Sequence, residues 1–270
     1  MLILSHSEKS FIYVIIFIFA VTVFSLIMKP NTNEELLYNG NYHIKIYKNK
    51  ITLYKYNKKL DIHRLENRVY DYELGDIDGD GRIELVVLTK KAFRKYGKEV
   101  YIFKIDKEIE EIYSEDFSRL KPWTIALGDV DGDGKDEVSV GVYKKTQFHR
   151  VMAKRPFIYS FEDNRLVPKW KGSRLSKPFT DYIFYDIDKN GIDEIVSIEI
   201  LENEEKVINT YKWKGFGFEG FLQSDSFKDL QDLKKAEGKI YVKFKKGKKP
   251  CLGEVNLYNG NIIIERVKEN

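Results

Sequence analysis

The chain has very few residues that could form covalent or metal-thiolate cross-links. Its only cysteine is Cys251, which excludes an internal disulfide and a cysteine-based zinc cluster. The four histidines, His6, His43, His63 and His149, have no spacing typical of a metal site or a catalytic triad. A serine nucleophile elbow and a paired-carboxylate motif are also missing, so the sequence gives catalysis little support.

An excess of charge of one sign is missing as well. Lysine and arginine number 46 against 42 aspartates and glutamates, a net charge of +4. That excess is too small to indicate a nucleic-acid partner, and no nucleic-acid-binding signature accompanies the basic clusters. Hydrophobic residues make up 43% and aromatic residues 14% of the chain, which is enough for a substantial core. The composition therefore predicts a folded protein that does not bind nucleic acid.

One long apolar run is present, at residues 11–28. At about 1.5 Å per residue, a helix of this length crosses most of a bilayer core. We interpret residues 1–29 as an uncleaved transmembrane anchor; a cleaved signal peptide and a buried core helix are the alternatives. No cysteine follows the run, which excludes a lipoprotein anchor. Residues 30–41 are then predicted to be a polar tether, and residues 42–270 the folded domain.

A nine-residue acidic phrase occurs three times. We call these segments acidic loop 1 (residues 76–84), acidic loop 2 (129–137) and acidic loop 3 (186–194); they start 53 and 57 residues apart. Each has oxygen-bearing side chains at positions 1, 3 and 5, glycine at position 6 and glutamate at position 9. A tight turn with this many hard oxygen ligands is the arrangement that Ca²⁺ requires.

Two other interpretations of the phrase are weaker. An EF-hand needs a glutamate at position 12, where this chain has Val87, Val140 and Ser197. Acidic turns that bind nothing are the second alternative, but three carboxylates within five residues repel one another unless a cation neutralises them. We therefore expect calcium, most simply as a structural ion.

Strand-like segments surround each acidic loop. Each repeat contains four of them in about 55 residues, which is typical of a propeller blade. A further unit without the phrase begins near residue 230, and residues 43–65 are predicted to form an incomplete blade that the far end of the chain completes. After the anchor, only residues 227–235 have apolar residues at a spacing compatible with a helix. The predicted fold is all-β, a small β-propeller of four to five blades with four antiparallel strands each, after the N-terminal transmembrane helix.

The phrase resembles the FG-GAP and VCBS-type repeats in the propellers of integrin alpha subunits and of many bacterial surface proteins. The resemblance covers residues 70–222 and implies that positions 1, 3, 5 and 9 bind calcium. The implied ligands are Asp76, Asp78, Asp80 and Glu84; Asp129, Asp131, Asp133 and Glu137; and Asp186, Asp188, Asn190 and Glu194. Because acidic loop 3 has a lysine at position 4 and a neutral Asn190, we expect it to have the lowest affinity. Weak calcium sites fill outside the cell, so we expect a single-pass membrane protein with the propeller outside the cytoplasm.

A second repeat is an Arg-Leu pair spaced by 55 and 55 residues, at Arg64, Arg119 and Arg174. Equivalent positions converge around a propeller axis, so these arginines could hold an anionic or sugar ligand. The alternative is that each arginine packs on an aromatic ring or pairs with an acidic neighbour and so holds adjacent blades together. The long basic and aromatic segment at residues 144–155 could approach a polyanion or a lipid headgroup surface, whereas residues 243–249 are most simply a solvated hairpin.

The sequence thus predicts a membrane-anchored, calcium-stabilised propeller that acts as a ligand-binding or adhesion module. Its expected partners are the membrane, through residues 11–28, and an anionic cell-surface polymer, a glycan or a protein. The alternatives are a carbohydrate-active enzyme, a polysaccharide lyase or hydrolase, on the same scaffold, and a purely structural envelope component. Because propellers host many unrelated functions, the fold does not choose among them.

Overall fold

A computed structural model describes residues 34–38, 42–172, 174–247 and 249–267. These residues form twenty β-strands and one short 3₁₀ helix, Ser118–Leu120, with no α-helix. The predicted anchor at residues 11–28 lies outside the described residues. Within the described part of the chain, no helix has the length and apolar character needed to cross a membrane.

The strands form five antiparallel sheets of four consecutive strands each. Sheet 1 contains β1 (Glu34–Tyr38), β2 (Tyr42–Tyr47), β3 (Lys50–Lys55) and β4 (Lys58–Arg64). Sheet 2 contains β5 (Arg68–Gly75), β6 (Glu84–Lys90), β7 (Glu99–Ile105) and β8 (Ile109–Asp116). Sheet 3 contains β9 (Pro122–Gly128), β10 (Glu137–Lys144), β11 (Ala153–Glu162) and β12 (Arg165–Lys171). Sheet 4 contains β13 (Phe179–Tyr185), β14 (Glu194–Ile200), β15 (Lys206–Trp213) and β16 (Phe218–Gln223). Sheet 5 contains β17 (Leu230–Ala236), β18 (Lys239–Lys246), β19 (Lys249–Tyr258) and β20 (Asn261–Arg266).

Burial within a sheet follows the strand order. The second strands β6, β10 and β14 are buried along almost their whole length, because neighbouring sheets cover both of their faces. Their sequences are accordingly continuous apolar runs. The fourth strands β8, β12 and β16 are mostly exposed or half-buried. Each sheet therefore has its fourth strand at the outside.

The sheets follow one another in sequence order around a set of inner strands. The first strands β5, β9, β13 and β17 contact each other in succession. Hydrophobic clusters fill the spaces between sheets 1 and 2, 2 and 3, 3 and 4, and 4 and 5. This propeller-like arrangement confirms the all-β prediction, and five sheets is within the predicted range.

The expectation for residues 30–41 is wrong at one point. The segment predicted as a tether includes β1, which pairs with β2 along its whole length. Sheet 1 is therefore completed by the residues that precede it. The far end of the chain does not complete it, because β20 pairs with β19 inside sheet 5.

The helical period near residues 227–235 also has a different origin. Residues 230–236 form β17, whose pairing with β18 shifts register between Gln231 and Lys234. Asp232 has a φ of 52° at this irregularity. The bulge lets Leu230 and Leu233 both point into the core, with exposures of 0% and 3%. Two buried leucines three residues apart imitate the spacing of a helix.

Candidate metal centres

The acidic loops occupy equivalent places in sheets 2, 3 and 4. Each joins the first strand of its sheet to the second, so all three emerge at one end of the sheets, here called the acidic edge. The position-6 glycines Gly81, Gly134 and Gly191 have φ values of 79°, 83° and 89°. Such left-handed backbone favours glycine, which explains why the phrase contains one at this position.

Each loop is folded by hydrogen bonds to its first and last acidic residues. Both carboxylate oxygens of Asp76 accept backbone N–H groups, from Gly79 at 2.8 Å and Gly81 at 2.9 Å. Asp129 accepts the N–H groups of the same two positions, 4 and 6, whereas Asp186 accepts those of Asn190 and Gly191, at positions 5 and 6. The position-9 glutamate of each loop accepts the N–H of position 2, at 3.2, 3.1 and 3.0 Å. These hydrogen bonds define the shape of each loop without a bound metal.

Carboxylates at positions 1, 3 and 9 converge in every loop. Their ligand oxygens lie within 4.8 Å of one another in three groups: Asp76, Asp78 and Glu84; Asp129, Asp131 and Glu137; and Asp186, Asp188 and Glu194. Asp80 and Asp133, the predicted position-5 aspartates, do not belong to these groups. Asp80, Asp133 and Asn190 instead accept the N–H of position 7 in their own loops, at 2.9, 2.9 and 2.8 Å.

The electrostatics of acidic loop 1 fit a bound cation. Glu84 is 1% exposed, and its Oε1 is buried without a hydrogen-bond partner. Burial, and then the negative charge of Asp78, raise the pKa of Glu84 to about 7. Burial likewise raises the pKa of Glu137 and of Glu194 to about 7. A divalent ion would relieve this repulsion, and hard carboxylate oxygens are the ligands that Ca²⁺ prefers.

A lysine lies beside the acidic group of every loop, and sequence reasoning missed all three. Lys104 Nζ is 2.6 Å from Asp78 Oδ2 and 3.1 Å from Asp80 Oδ2. Lys169 Nζ contacts Asp131 and is 2.6 Å from Glu137 Oε1. Lys212 Nζ contacts Asp188 and is 3.4 Å from Glu194 Oε1.

The lysines divide the loops into two kinds. In acidic loops 2 and 3 the ammonium reaches the buried glutamate, whereas in acidic loop 1 the Glu84 Oε1 atom stays without a hydrogen bond. The signal that could have found Lys104 is its register, because it pairs directly across from Glu84 on the neighbouring strand. Register is a property of the folded sheet, so spacing along the chain did not indicate it.

The acidic loops also join neighbouring sheets. The N–H of Asp136 in loop 2 donates to the Asp76 carbonyl of loop 1 at 2.8 Å, and Asp193 of loop 3 donates to Asp129 of loop 2 at 2.7 Å. A glycine precedes loops 1 and 2 for steric reasons. A Cβ at Gly75 would lie 2.2 Å from Asp136 Oδ2, and one at Gly128 would lie 2.4 Å from Asp193 Oδ2.

Comparison with known protein families identifies this repeating unit. Residues 76–140 match the family model described as an FG-GAP-like repeat. The chain contains an FG-GAP-like repeat. The matched segment begins at the first residue of acidic loop 1 and ends in β10, so it spans one sheet-to-sheet period with two of the three loops. The match agrees with an FG-GAP/VCBS-type repeat protein. No curated protein sequence matches the chain.

Sheet 5 follows sheet 4 and has no acidic loop between its first two strands. A tight turn after β17 takes the loop's place, and Tyr185, which precedes acidic loop 3, donates its hydroxyl to the Gly238 carbonyl of that turn at 2.6 Å. Burial raises the pKa of Asp136 to about 6 and that of Glu73 to about 7, and the positive charge of Lys235 opposes both shifts. Lys235 of sheet 5 thus partly balances the charge of these two carboxylates in sheets 2 and 3.

The three Arg-Leu pairs lie in the connections between sheets. Arg64 ends β4, Arg119 is in the 3₁₀ helix and Arg174 precedes β13; all three are exposed. The leucines that follow them, at positions 65, 120 and 175, pack against the hydrophobic clusters. The pairs thus have a packing role through leucine.

Arg119 lines a cleft to which neither Arg64 nor Arg174 contributes. This cleft of about 600 Å³ lies between the outer parts of sheets 2 and 3. Its lining residues are Glu115, Asp116, Phe117, Ser118, Arg119, Leu120, Tyr159, Leu166, Pro168 and Lys171. Both charges and an aromatic ring are available there, as a polar ligand requires. The predicted ring of three arginines stays a prediction.

Proposed function

We propose that this chain is a calcium-stabilised, propeller-like binding module, anchored to a membrane by residues 11–28 with its sheets outside the cytoplasm. The observation that carries the metal part is the recurrence of one carboxylate group at the same place in three consecutive sheets. When bound, Ca²⁺ supplies charge neutralisation, and the residues at positions 1, 3 and 9 would hold it. Because acidic loops 1 and 2, and likewise 2 and 3, are joined through their backbones, an ion in one loop also stabilises the contact to the next sheet.

The three loops should bind calcium with different affinities. In acidic loop 1 the unpartnered buried oxygen is on Glu84, so an ion gains the position-9 ligand without displacing a lysine from it, although Lys104 contacts Asp78 at position 3. Acidic loop 3 also has an unpartnered buried oxygen, but it is on Asp188 at position 3. In acidic loops 2 and 3 an ion must displace Lys169 or Lys212 from the buried glutamate. We therefore place the strongest site in loop 1. The composition of the phrase had ranked only loop 3 as weak.

Binding of a partner is proposed for the end of the sheets opposite the acidic edge, here called the opposite edge. The connections that carry Arg64, Arg119 and Arg174 run from a fourth strand to the next first strand, and antiparallel order places them at this edge. In the cleft, Arg119 and Lys171 could bind the anionic groups of a ligand such as an acidic glycan or a cell-surface polymer, and Glu115 and Asp116 could accept hydrogen bonds from its hydroxyl groups. Calcium would then hold the scaffold while the opposite edge makes the contact.

The binding proposal can be tested with an array of sulfated and carboxylated glycans probed by the full-length chain. Because Arg119 is the one of the three arginines that lines this cleft, Arg119→Ala should reduce binding by about tenfold or more through loss of a charge-assisted hydrogen bond. Arg64→Ala and Arg174→Ala serve as matched controls with smaller effects. Equal binding by the wild-type chain and all three variants would reject an arginine-dependent ligand. Equal losses in all three variants would support the arginine ring in place of the cleft.

A further inference from the structure

Two neighbouring loops at the opposite edge carry exposed phenylalanines. Residues 91–98 join β6 to β7, and residues 145–152 join β10 to β11. Phe93 has a relative exposure of 106% and Phe148 one of 85%. We call these two loops together the basic-aromatic surface. Isolated apolar residues at a surface are common, but two exposed phenylalanines on adjacent loops form a feature that needs an explanation.

Contacts between the two loops place them side by side. The ring of Tyr96, in the first loop, stacks on Tyr143, which precedes the second loop, with centroids 5.7 Å apart. The N–H of Gly97 donates to the carbonyl of Pro122 in sheet 3 at 2.7 Å. The two phenylalanines therefore belong to one surface of adjacent sheets.

The charges of this surface all have the same sign. Five exposed basic residues surround the phenylalanines: Lys91, Arg94, Lys95, Lys145 and Arg150. Residues 91–98 and 145–152 contain no aspartate or glutamate. The ion pairs seen in the described part of the chain involve none of these five side chains. Lys95 Nζ lies 5.4 Å from the centroid of the Tyr96 ring, and Lys91 is near enough to Asp116 to interact with it electrostatically. Because no ion pair in the described residues holds these five side chains, their charge can also meet an external anion.

The loops have defined shapes that hold the rings outward. Phe93 has a φ of 60°, a left-handed conformation that is unusual for a bulky residue and is found where the surrounding structure imposes it. In the second loop the guanidinium of the fully buried Arg155 donates to the Lys144 carbonyl at 2.8 Å and to the Val151 carbonyl at 2.8 Å. Arg155, which the sequence grouped with the external basic residues, thus organises the loop from inside.

We propose that the basic-aromatic surface docks onto an anionic lipid bilayer. Phe93 and Phe148 enter the interfacial region, and the five basic side chains contact lipid phosphates and other anionic headgroups. Apolar rings next to cations are the combination that binding to an anionic membrane interface requires. A soluble polyanion would engage the cations but leave both rings in water. This proposal does not depend on calcium or on the cleft ligand.

The test uses the full-length chain in lipid nanodiscs. A fluorophore at one position reports membrane contact of the basic-aromatic surface itself, separately from any other contact of the chain with the membrane. Phe93→Cys or Phe148→Cys, in a Cys251→Ala background, is labelled with an environment-sensitive fluorophore. The matched control is Phe216→Cys, since Phe216 is 87% exposed but lies in the turn between β15 and β16, at the acidic edge. Nanodiscs of phosphatidylcholine alone are compared with nanodiscs that also contain phosphatidylserine.

We expect phosphatidylserine to shift the emission at positions 93 and 148 to the blue and to leave position 216 unchanged. Replacing all five basic residues by serine should abolish the shift, and high salt should reduce it. No shift at positions 93 and 148, or an equal shift at position 216, would overturn the proposal. A shift produced by a soluble polyanion without lipid would also overturn it and would assign the surface to a polymer.

Discussion

Replacement of Lys169 by methionine tests whether the lysines and calcium occupy the same sites. The Lys169 side chain is 15% exposed and contacts Asp131 and Glu137, whose side chains are 27% and 2% exposed. Lys169→Met leaves these carboxylates without a neighbouring cation. Removal of one partner from a fully buried ion pair costs about 3–5 kcal/mol. Because Asp131 is partly exposed, we expect a loss of about 2–3 kcal/mol in the free energy of unfolding without calcium.

Calcium should make most of this loss disappear. An ion in acidic loop 2 supplies the positive charge that the ammonium supplied, and the variant no longer has a lysine to displace. We therefore expect the variant to be within about 1 kcal/mol of the wild type at saturating calcium, because binding to the folded state alone stabilises it. The variant should also bind calcium more tightly than the wild type.

The assay is urea unfolding of the full-length chain in detergent, followed by tryptophan fluorescence, in chelator and in millimolar calcium. Lys107→Met is the matched control, since Lys107 is exposed in the turn between β7 and β8 and its replacement makes the same change in charge and length. An equal loss for Lys169→Met in both conditions would show that the ammonium and calcium do not share a site. An unchanged free energy of unfolding for Lys169→Met in chelator would refute the role of Lys169 as a counter-ion to Asp131 and Glu137.

Three further variants test other parts of the structure. Glu73→Gln should raise the free energy of unfolding by about 1–2 kcal/mol at pH 8 and by little at pH 5, because partial burial lifts the pKa of Glu73 from 4.5 to about 7; urea titrations at both pH values measure this. Gly75→Ala should cost about 1–3 kcal/mol in the same assay through overpacking against Asp136, and Asp136→Ala should recover part of that loss. Lys189→Gly should stabilise acidic loop 3 by about 1 kcal/mol in chelator, because Lys189 has a φ of 63°.

Each of these three predictions has a contradicting result. The raised pKa of Glu73 means that the folded state favours the protonated form, so the stability contributed at low pH is lost as pH rises through about 7. A Glu73→Gln effect that is the same at both pH values would contradict this sign. Additive effects in the Gly75 and Asp136 double variant would exclude the steric contact between them. A loss of stability in Lys189→Gly would mean that the hydrogen bond from Lys189 to Tyr185 outweighs the backbone strain.

Features local in sequence were predictable here, and features set by pairing were not. The acidic phrase, its spacing and the apolar runs of β6, β10 and β14 together indicate four-stranded units with a turn of hard ligands. The lysines beside the acidic loops could not be predicted from spacing along the chain. Lys104, for example, lies on a different strand and reaches its loop from a position across from Glu84. Acidic loop 1 was therefore not distinguished from loop 2.

The other differences have similar causes. The bulge in β17 places Leu230 and Leu233 on one face of the sheet. Strand prediction from the sequence assumes that side chains alternate strictly between faces, so it does not anticipate the extra residue of a bulge. For the Arg-Leu repeat, the sequence-based hypothesis assigned the function to the arginines, whereas Leu65 and Leu175 are the residues that the fold buries. For the segment at residues 144–155, composition suggested an anionic partner. Only the structure showed that Arg155 points inward and that Phe93, on another sheet, lies beside the same surface.

The most direct test of calcium as a structural ion is the melting temperature of the full-length chain with millimolar calcium and with a chelator. Three sites, each with a Kd about ten times below the calcium concentration, add about 4 kcal/mol in total. For a domain of this size we expect calcium to raise the melting temperature by about 8–16 °C, with magnesium having a much smaller effect. An unchanged melting temperature would contradict a role for the acidic loops in holding calcium.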